Sequence, residues 1–178
     1  MTAILETERL ILRPLAMSDA PTVRLLAGDY EVAKTTLNMP HPYPEDAAEA
    51  FIQSRIDNAD KGSVFGIVRK ADQQLMGAMG IHPEGRFSRA EMGYWLGVPY
   101  WNQGYASEAA RRIVAFGFEE LELNRIHASY FSENIASRRV MEKAGMIYEG
   151  TLRQHIVRDG VYYDLGCCGI VRSDWDSA

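Results

Sequence analysis

One stretch constrains this chain more than any other: YWLGVPYWNQGYASEAARRIVAFGF, residues 94–118. A strand-like apolar run ends at Gly97-Val98-Pro99, and Pro99 has no N–H to carry a sheet ladder further. The turn Trp101-Asn102-Gln103-Gly104 follows. A long amphipathic helix then runs from about Gly104 to Leu121. Its entrance is made of small residues, Gly104, Ala106 and Ser107. A helix N-terminus carries unpaired N–H groups and about half a positive charge. It receives an anion when side chains leave the backbone open. Two readings stand side by side here: a cleared landing site for phosphate, and a tight turn that packs the helix closely on a sheet.

The rest of the chain supplies the sheet. Residues 9–15 read as a strand closed by Pro14. Ser18 and Asp19 are cap candidates for a short helix through about Ala27, and YEVAKTTL suggests another. Residues 38–44, NMPHPYP, carry three prolines in seven positions and exclude regular structure. An amphipathic helix spans about Glu45 to Asp60. SVFGIVRK, LMGAMGIH and AEMGYWLG are three consecutive strands separated by turn signals. RIHASYF is a strand, and NIASRRVMEKAGM is a helix capped by Asn134 and stopped by Gly145. Arg158-Asp159-Gly160 joins two final strands as a hairpin. The order predicts an α/β fold, residues 1–178 as one domain, with a mixed, mostly antiparallel sheet and one parallel crossover.

Composition narrows the function classes. The net charge of −5 argues against a nucleic-acid surface. No apolar run approaches the roughly 18 residues that span a membrane. The opening MTAILETERLILRPL has early acids and no basic region, so it reads as structure and not as a signal peptide. Cys167 and Cys168 are adjacent and point to opposite faces of a strand, which makes them poor disulfide partners. A reducing, cytoplasmic location is expected. The four histidines, at 41, 82, 127 and 155, lack metal-ligand spacing, so no metal is expected. Other phosphate-binding signatures are absent: there is no G-x-x-x-x-G-K-[ST], and GAMGIHPEG is followed by no helix.

The segment WNQGYA resembles the acetyl-coenzyme A motif of the GNAT N-acetyltransferases, [QR]-x-x-G-x-[GA]. Gly104 and Ala106 fill the small positions, and Trp101 replaces the usual Gln or Arg. That departure is typical of the RimJ/RimL branch, which acetylates N-termini of ribosomal proteins. ETERLILRPLAMSDA, MPHPYPEDA, GYWLGVPYWNQGYASEA, NIASRRVMEKAGM and RDGVYYDLG resemble that branch in the same order along nearly the whole chain. The resemblance implies a GNAT fold of about seven strands with a V-shaped splay. It implies pantetheine pairing with backbone groups of Trp95, Leu96, Gly97 and Val98. It also implies pyrophosphate binding by N–H groups from Asn102 or Gln103 through Gly104, Tyr105, Ala106 and Ser107. Asn134 matches an asparagine that contacts the pantetheine arm, although it also reads as a helix cap. Arg138, Arg139 and Lys143 either screen cofactor phosphates or are surface charge.

For mechanism the resemblance implies direct attack of an amine on the thioester, with the N–H near Leu96 as oxyanion donor. A lysine amine, with a pKa of about 10.4, is neutral about 0.04% of the time at pH 7; an α-amino group, at about 7.7–8, is neutral about 10–20% of the time. Glu91 stands 13 residues before Gly104, the spacing of the base in histone-type relatives. It is a candidate base or a ligand for the substrate's ammonium. The tyrosine acid of some relatives is replaced by Met141, and Ser137 is the alternative proton donor. Tyr43, Arg86, Glu91, His155 and Tyr162 are the acceptor-site candidates. The expected function is acetyl transfer from acetyl-CoA to a protein N-terminus. The alternatives are a small-molecule amine as acceptor and a non-catalytic acetyl-CoA-binding module. The C-terminal CCGIVRSDW strand is a candidate edge for a homodimer.

Overall fold

The computed structural model describes residues 3–58 and 63–177. Its centre is an open eight-stranded sheet in the order β1-β2-β3-β4-β5-β6-β8-β7. The strands are β1 (Leu5–Glu6), β2 (Leu10–Pro14), β3 (Ser63–Arg69), β4 (Leu75–Pro83), β5 (Arg89–Leu96), β6 (Arg125–Phe131), β7 (Ile147–Arg158) and β8 (Val161–Val171). The two-residue β1 adds a strand to the expected seven. The helices are α1 (Ala20–Ala27), α2 (Tyr30–Ala33), α3 (Ala47–Asp57), α4 (Tyr105–Glu119), α5 (Ile135–Lys143) and the short α6 (Arg172–Trp175). The expected helix over 45–60 is shorter, and its last two positions lie outside the described residues. No helix among the described residues is long and apolar enough to cross a membrane.

All strand pairs are antiparallel except β5 with β6, which α4 connects as the crossover. That parallel ladder is short. Arg89, Ala90 and Glu91 pair with Arg125, Ile126 and His127, and the register then ends. Beyond it β5 stays with β4 as far as Leu96, while β6 stays with β8 as far as Phe131. The two strands therefore part, and a wedge opens between them from Met92 onward.

Alternation sends side chains to both faces of the sheet. One face buries Phe65, Met79, Ile81, Met92 and Ile126 against Ile113, Val114 and Phe118 of α4 and Met141 of α5. The other buries Val68, Leu75 and Ala78 against Val23 and Ala27 of α1 and Ile52 of α3. Each large side chain so buried contributes about 1.5–3 kcal/mol.

The C-terminal strand is not an edge. β8 is paired on both sides, with β6 and with β7. The edges are β1 and β7, so the expected dimer edge at CCGIVRSDW is corrected. Cys167 and Cys168 are both free thiols.

Gly77 sets how closely β4 approaches β5. A Cβ there would lie 2.3 Å from the Trp95 carbonyl oxygen and 2.8 Å from Leu96 Cα. Only a backbone shift relieves that overlap. Gly77→Ala is expected to destabilise by about 1–3 kcal/mol, a fall in melting temperature of roughly 2–12 °C for a chain of this size. An unchanged thermal melt would refute this account of the β4–β5 contact.

Candidate active site

The turn before α4 is built for an exposed helix end. Gly104 caps α4 with φ +82° and offers no side chain to bond the first N–H groups. A left-handed φ of this kind is ordinary only for glycine. Asn102 is also left-handed, at φ +58°. The N–H groups at the start of α4 are thus left without a side-chain cap. The turn is strapped down from the other end of the chain. Glu108 accepts from the Thr7 hydroxyl at 2.6 Å, from Arg9 N at 2.9 Å and from Arg9 Nε at 2.7 Å. Arg9 Nη1 donates to the Gln103 carbonyl at 3.1 Å, and its guanidinium lies 4.5 Å over the Tyr105 ring. Burial pushes the Glu108 carboxyl up, but the bonds from Thr7 and Arg9 hold it below the usual carboxylate range.

A cavity of about 350 Å³ opens beside this turn and continues into the wedge. Trp95, Leu96, Asn102, Gly104, Tyr105, Ala106, Ser107, Asn134 and Ser137 line it, as do Arg139 and Lys143. Gly97, Val98 and Gln103, expected there, do not. The Gly97 N–H is spent on the Met76 carbonyl at 2.8 Å, and the Val98 carbonyl accepts from Trp101 N at 3.1 Å. The Gln103 side chain donates to the Pro99 carbonyl at 2.8 Å. Arg138 pairs with Glu142 at 2.8 Å instead of facing the cavity.

The antiparallel ladder sorts the remaining backbone groups. Bonded and non-bonded pairs alternate along β4–β5. Since Gly97 bonds Met76, Trp95 bonds Ala78, and Tyr94 and Leu96 turn their groups toward the wedge. Trp95 backbone groups, expected to be free, are therefore spent on β4. The Leu96 carbonyl accepts from Trp101 Nε1 at 2.7 Å, which gives the unusual tryptophan a structural task and leaves Leu96 N–H as the outward donor.

Across the wedge, Asn134 Oδ1 caps α5 by accepting from Ser137 N at 3.0 Å. The Ser137 hydroxyl lies 2.8 Å from the Tyr94 hydroxyl. Burial pushes the Tyr94 phenol up to about 12, with the Ser137 bond opposing, so it keeps its proton at neutral pH. Sequence reasoning missed Tyr94. The alternation of β5 was the signal, because it turns position 94 to the opposite face from Glu91 and Trp95.

A second cavity, of about 510 Å³, lies on the other side of Tyr94. Its walls include Thr35 to Pro40, Tyr43, Phe51 and Arg55, with His82 from β4 and Glu91 from β5. His82 and Glu91 are direct partners across the ladder, so their side chains share a face. Burial and the Arg55 charge push the His82 imidazole below its ordinary value, against the pull of Glu91. It is mostly neutral at pH 7. Burial and the nearby Glu49 push the Tyr43 phenol up, with Arg24 opposing. His82 and Arg55 were not foreseen as site residues, because neither sits in a recognisable motif.

Of the acceptor-site candidates, Tyr43 and Glu91 border this cavity, while Arg86, His155 and Tyr162 border neither cavity. Arg86 lies in the β4–β5 turn with its guanidinium 5.3 Å over Phe87. His155 and Tyr162 are exposed on the β7–β8 hairpin. That hairpin acts through Arg158 instead. Its Nη1 donates to the carbonyls of Ala33 at 2.8 Å and Thr36 at 3.2 Å, and its Nη2 to Met39 at 3.4 Å. The arginine pins the segment that roofs the cavity.

Known proteins resemble this chain in sequence and fold. The acetyltransferase (GNAT) domain family matches residues 9–147. YoaA, an uncharacterized N-acetyltransferase of Bacillus subtilis, is 34% identical over 175 residues, which is 97% of this chain and 98% of that one. YdaF, a putative ribosomal N-acetyltransferase of the same organism, is 32% identical over 106 residues, 59% of this chain and 58% of that one. The crystal structure of a GNAT-family acetyltransferase from Bacillus anthracis is 28% identical with a TM-score of 0.88, covering 96% of this chain and 99% of that one. The family match runs from β2 to the start of β7 and takes in the wedge and both flanking helix starts, and on that ground the chain belongs to the GNAT acetyltransferases.

Proposed function

We propose that this enzyme transfers an acetyl group from acetyl-CoA to a small-molecule primary amine held in the 510 Å³ cavity, by direct attack in a ternary complex. One observation carries the reading: the two cavities meet at the wedge, where Thr35, Thr36, Tyr94, Trp95 and Ser137 border both. One side suits a phosphate-bearing thioester and the other an amine.

The residues present fit acetyl-CoA. The uncapped start of α4, with Arg139 and Lys143 nearby, suits phosphates. The outward groups of Tyr94 and Leu96 suit amides that lie along β5 like an added strand. When bound, acetyl-CoA supplies the activated thioester. The attacking nitrogen gains the acetyl carbon in place of sulfur and gives up one proton. The chain must take up that proton and hand one to the sulfur. His82, neutral, and Glu91 are the acceptors on the amine side. Ser137 Oγ is the donor on the sulfur side, resupplied by Tyr94 Oη. Leu96 N–H faces the charge that develops on the acetyl oxygen. Cys167 and Cys168 border neither cavity, which supports attack by the amine itself over a covalent carrier.

The ribosomal N-terminal reading rests on the name of YdaF and on the RimJ/RimL resemblance. The small-molecule reading has the cavity in its favour, whose volume is within the range of small-ligand sites, about 300–1,000 Å³. The bonded Tyr94–Ser137 pair at the junction favours turnover over a binding-only module.

Two measurements test the transfer reading. At 100 times its dissociation constant, acetyl-CoA should stabilise the protein by about 2.7 kcal/mol, a rise in melting temperature of roughly 5–11 °C. Ala106→Glu puts an anion at the second position of α4, where the helix itself tolerates it well. That variant should melt like the parent but lose the rise. A preserved rise would remove the phosphate role of this turn.

Ser137→Ala and Tyr94→Phe should each lower kcat by about 10²-fold with little change in KM. The double variant should be no worse than the worse single one, because the two hydroxyls form one relay. Multiplicative losses in the double variant would break the relay.

A further inference from the structure

One cation on the wall of the large cavity has no ion-pair partner among the described residues. Arg55, in the last turn of α3, lines that cavity. Its guanidinium face lies 5.3 Å from the Phe51 ring centroid. One Nη donates to its neighbour Ser54 Oγ at 3.3 Å. Its Nε is buried and has no hydrogen-bond partner. Among the described residues three others carry a similar orphaned atom: Arg24, Glu49 and Arg112. Each of those holds an ion partner through another atom, Arg24 with Glu49 at 2.5 Å and Arg112 with Glu120 at 3.2 Å. Among the described residues no carboxylate comes within ion-pair distance of Arg55. Arg55 is half-buried, and its Nε, withdrawn from water without a partner, costs free energy. That cost is recovered when a ligand brings the anion.

The rest of the wall says what kind of ligand. Glu91 lines the same cavity, and both it and Arg55 act electrostatically on His82. The wall thus presents a cation, a neutral imidazole and an anion in one neighbourhood, with Arg55 and Glu91 left unpaired to each other. Met39, Tyr43, Phe51 and Trp95 supply apolar surface around them. A molecule complementary to this set carries an amine, a carboxylate and an apolar group.

We propose that the acetyl acceptor is an amino acid with an apolar side chain, its carboxylate held by Arg55 and its amine directed to Glu91 and His82 beside Tyr94. The inference rests on the acetyl-transfer reading and adds the acceptor's second functional group. Planar bidentate binding of carboxylate is the chemistry for which arginine is suited. Glu91 on this view orients the incoming ammonium as well as receiving its proton. The product is the N-acetyl amino acid, neutral at nitrogen and still anionic at the carboxylate.

The test is a steady-state comparison of L-phenylalanine with L-phenylalanine amide and phenethylamine, all with acetyl-CoA. The amide is the stricter control because its amine loses a proton more readily. The acid should be favoured in kcat/KM by about 10- to 100-fold, the range expected for a hydrogen-bonded charge pair. In Arg55→Met that preference should collapse toward unity, chiefly through a higher KM for the acid. Arg55→Lys should restore part of it. Thermal melts of each variant, with and without acetyl-CoA, report folding and cofactor binding separately. If the parent uses the amide or phenethylamine as well as the acid, the carboxylate anchor is wrong and acetyl transfer stands. An unchanged preference in a folded Arg55→Met would overturn the anchor in the same way. Failure to acetylate any of the three amines, or a short peptide, would defeat the transfer reading and this inference with it.

Discussion

The short ladder between β5 and β6 is the constraint on which the rest depends. Two parallel strands that stayed paired to their ends would close the sheet and leave no gap. Here pairing ends after Glu91 and His127, and each strand continues on the arm of its other neighbour. The chain must then leave both strands at the mouth of the wedge. α4 starts nine residues after β5 ends, and α5 four residues after β6 ends. Two helix N-termini, each with a partial positive charge, thus converge on one opening at the carboxyl ends of parallel strands. That is where ligands enter open α/β sheets.

A wedge flanked by loops is a weak frame, and three contacts stiffen it, two of them long-range. Arg9, near one end of the chain, ties the turn before α4 to β2 through Glu108 and Gln103. Arg158, near the other end, ties the roof segment to the β7–β8 hairpin. Trp101 bonds back to the Leu96 carbonyl and fixes the turn to the end of β5. The Glu108 carboxyl has a lowered pKa, so its contribution is present above the unfolded carboxylate range. It is lost as pH falls through the lower folded value. Acid should therefore loosen the turn before α4 through this pair.

The elements were largely legible in the sequence because period, caps and turn residues are local signals. The strand–turn–helix unit at 94–118, the Asn134 cap and the Arg158-Asp159-Gly160 hairpin need only neighbours a few residues away. The wedge also left a local trace, in Pro99 and the small helix entrance, once the family resemblance said what they frame. The larger cavity left less: Glu91 was marked by its spacing from Gly104 and Tyr43 by its proline-rich segment, but Arg55 and His82 sit in no motif. Arg55, His82 and Glu91 come from α3, β4 and β5, and only sheet register and helix packing bring them together. On the β7–β8 hairpin His155 and Tyr162 are exposed, while Arg158 reaches across to Met39, a contact that no local pattern marks. The β8 strand was misread as an edge because order along the chain does not give order across a sheet.

Strand alternation has a consequence for the chemistry. Glu91 and Tyr94 are three residues apart on β5, so their side chains leave opposite faces of the sheet. Trp95 packs with the cluster under α1 and α3, and Tyr94 with the cluster under α4 and α5. In a closed sheet such groups would be insulated from each other by the backbone. The wedge removes that barrier on one side of β5. Under the proposed roles, a proton leaves the amine on the α3 face, toward His82 or Glu91, and another reaches sulfur from the α5 face, through Tyr94 and Ser137. The two groups are not interchangeable. Burial lifts the Tyr94 phenol to about 12, and burial with Arg55 lowers the His82 imidazole, so at neutral pH the phenol holds a proton to give and the imidazole is mostly in the form that takes one. One strand, unpaired on one side, therefore separates proton uptake from proton delivery and keeps both beside the same reacting carbon.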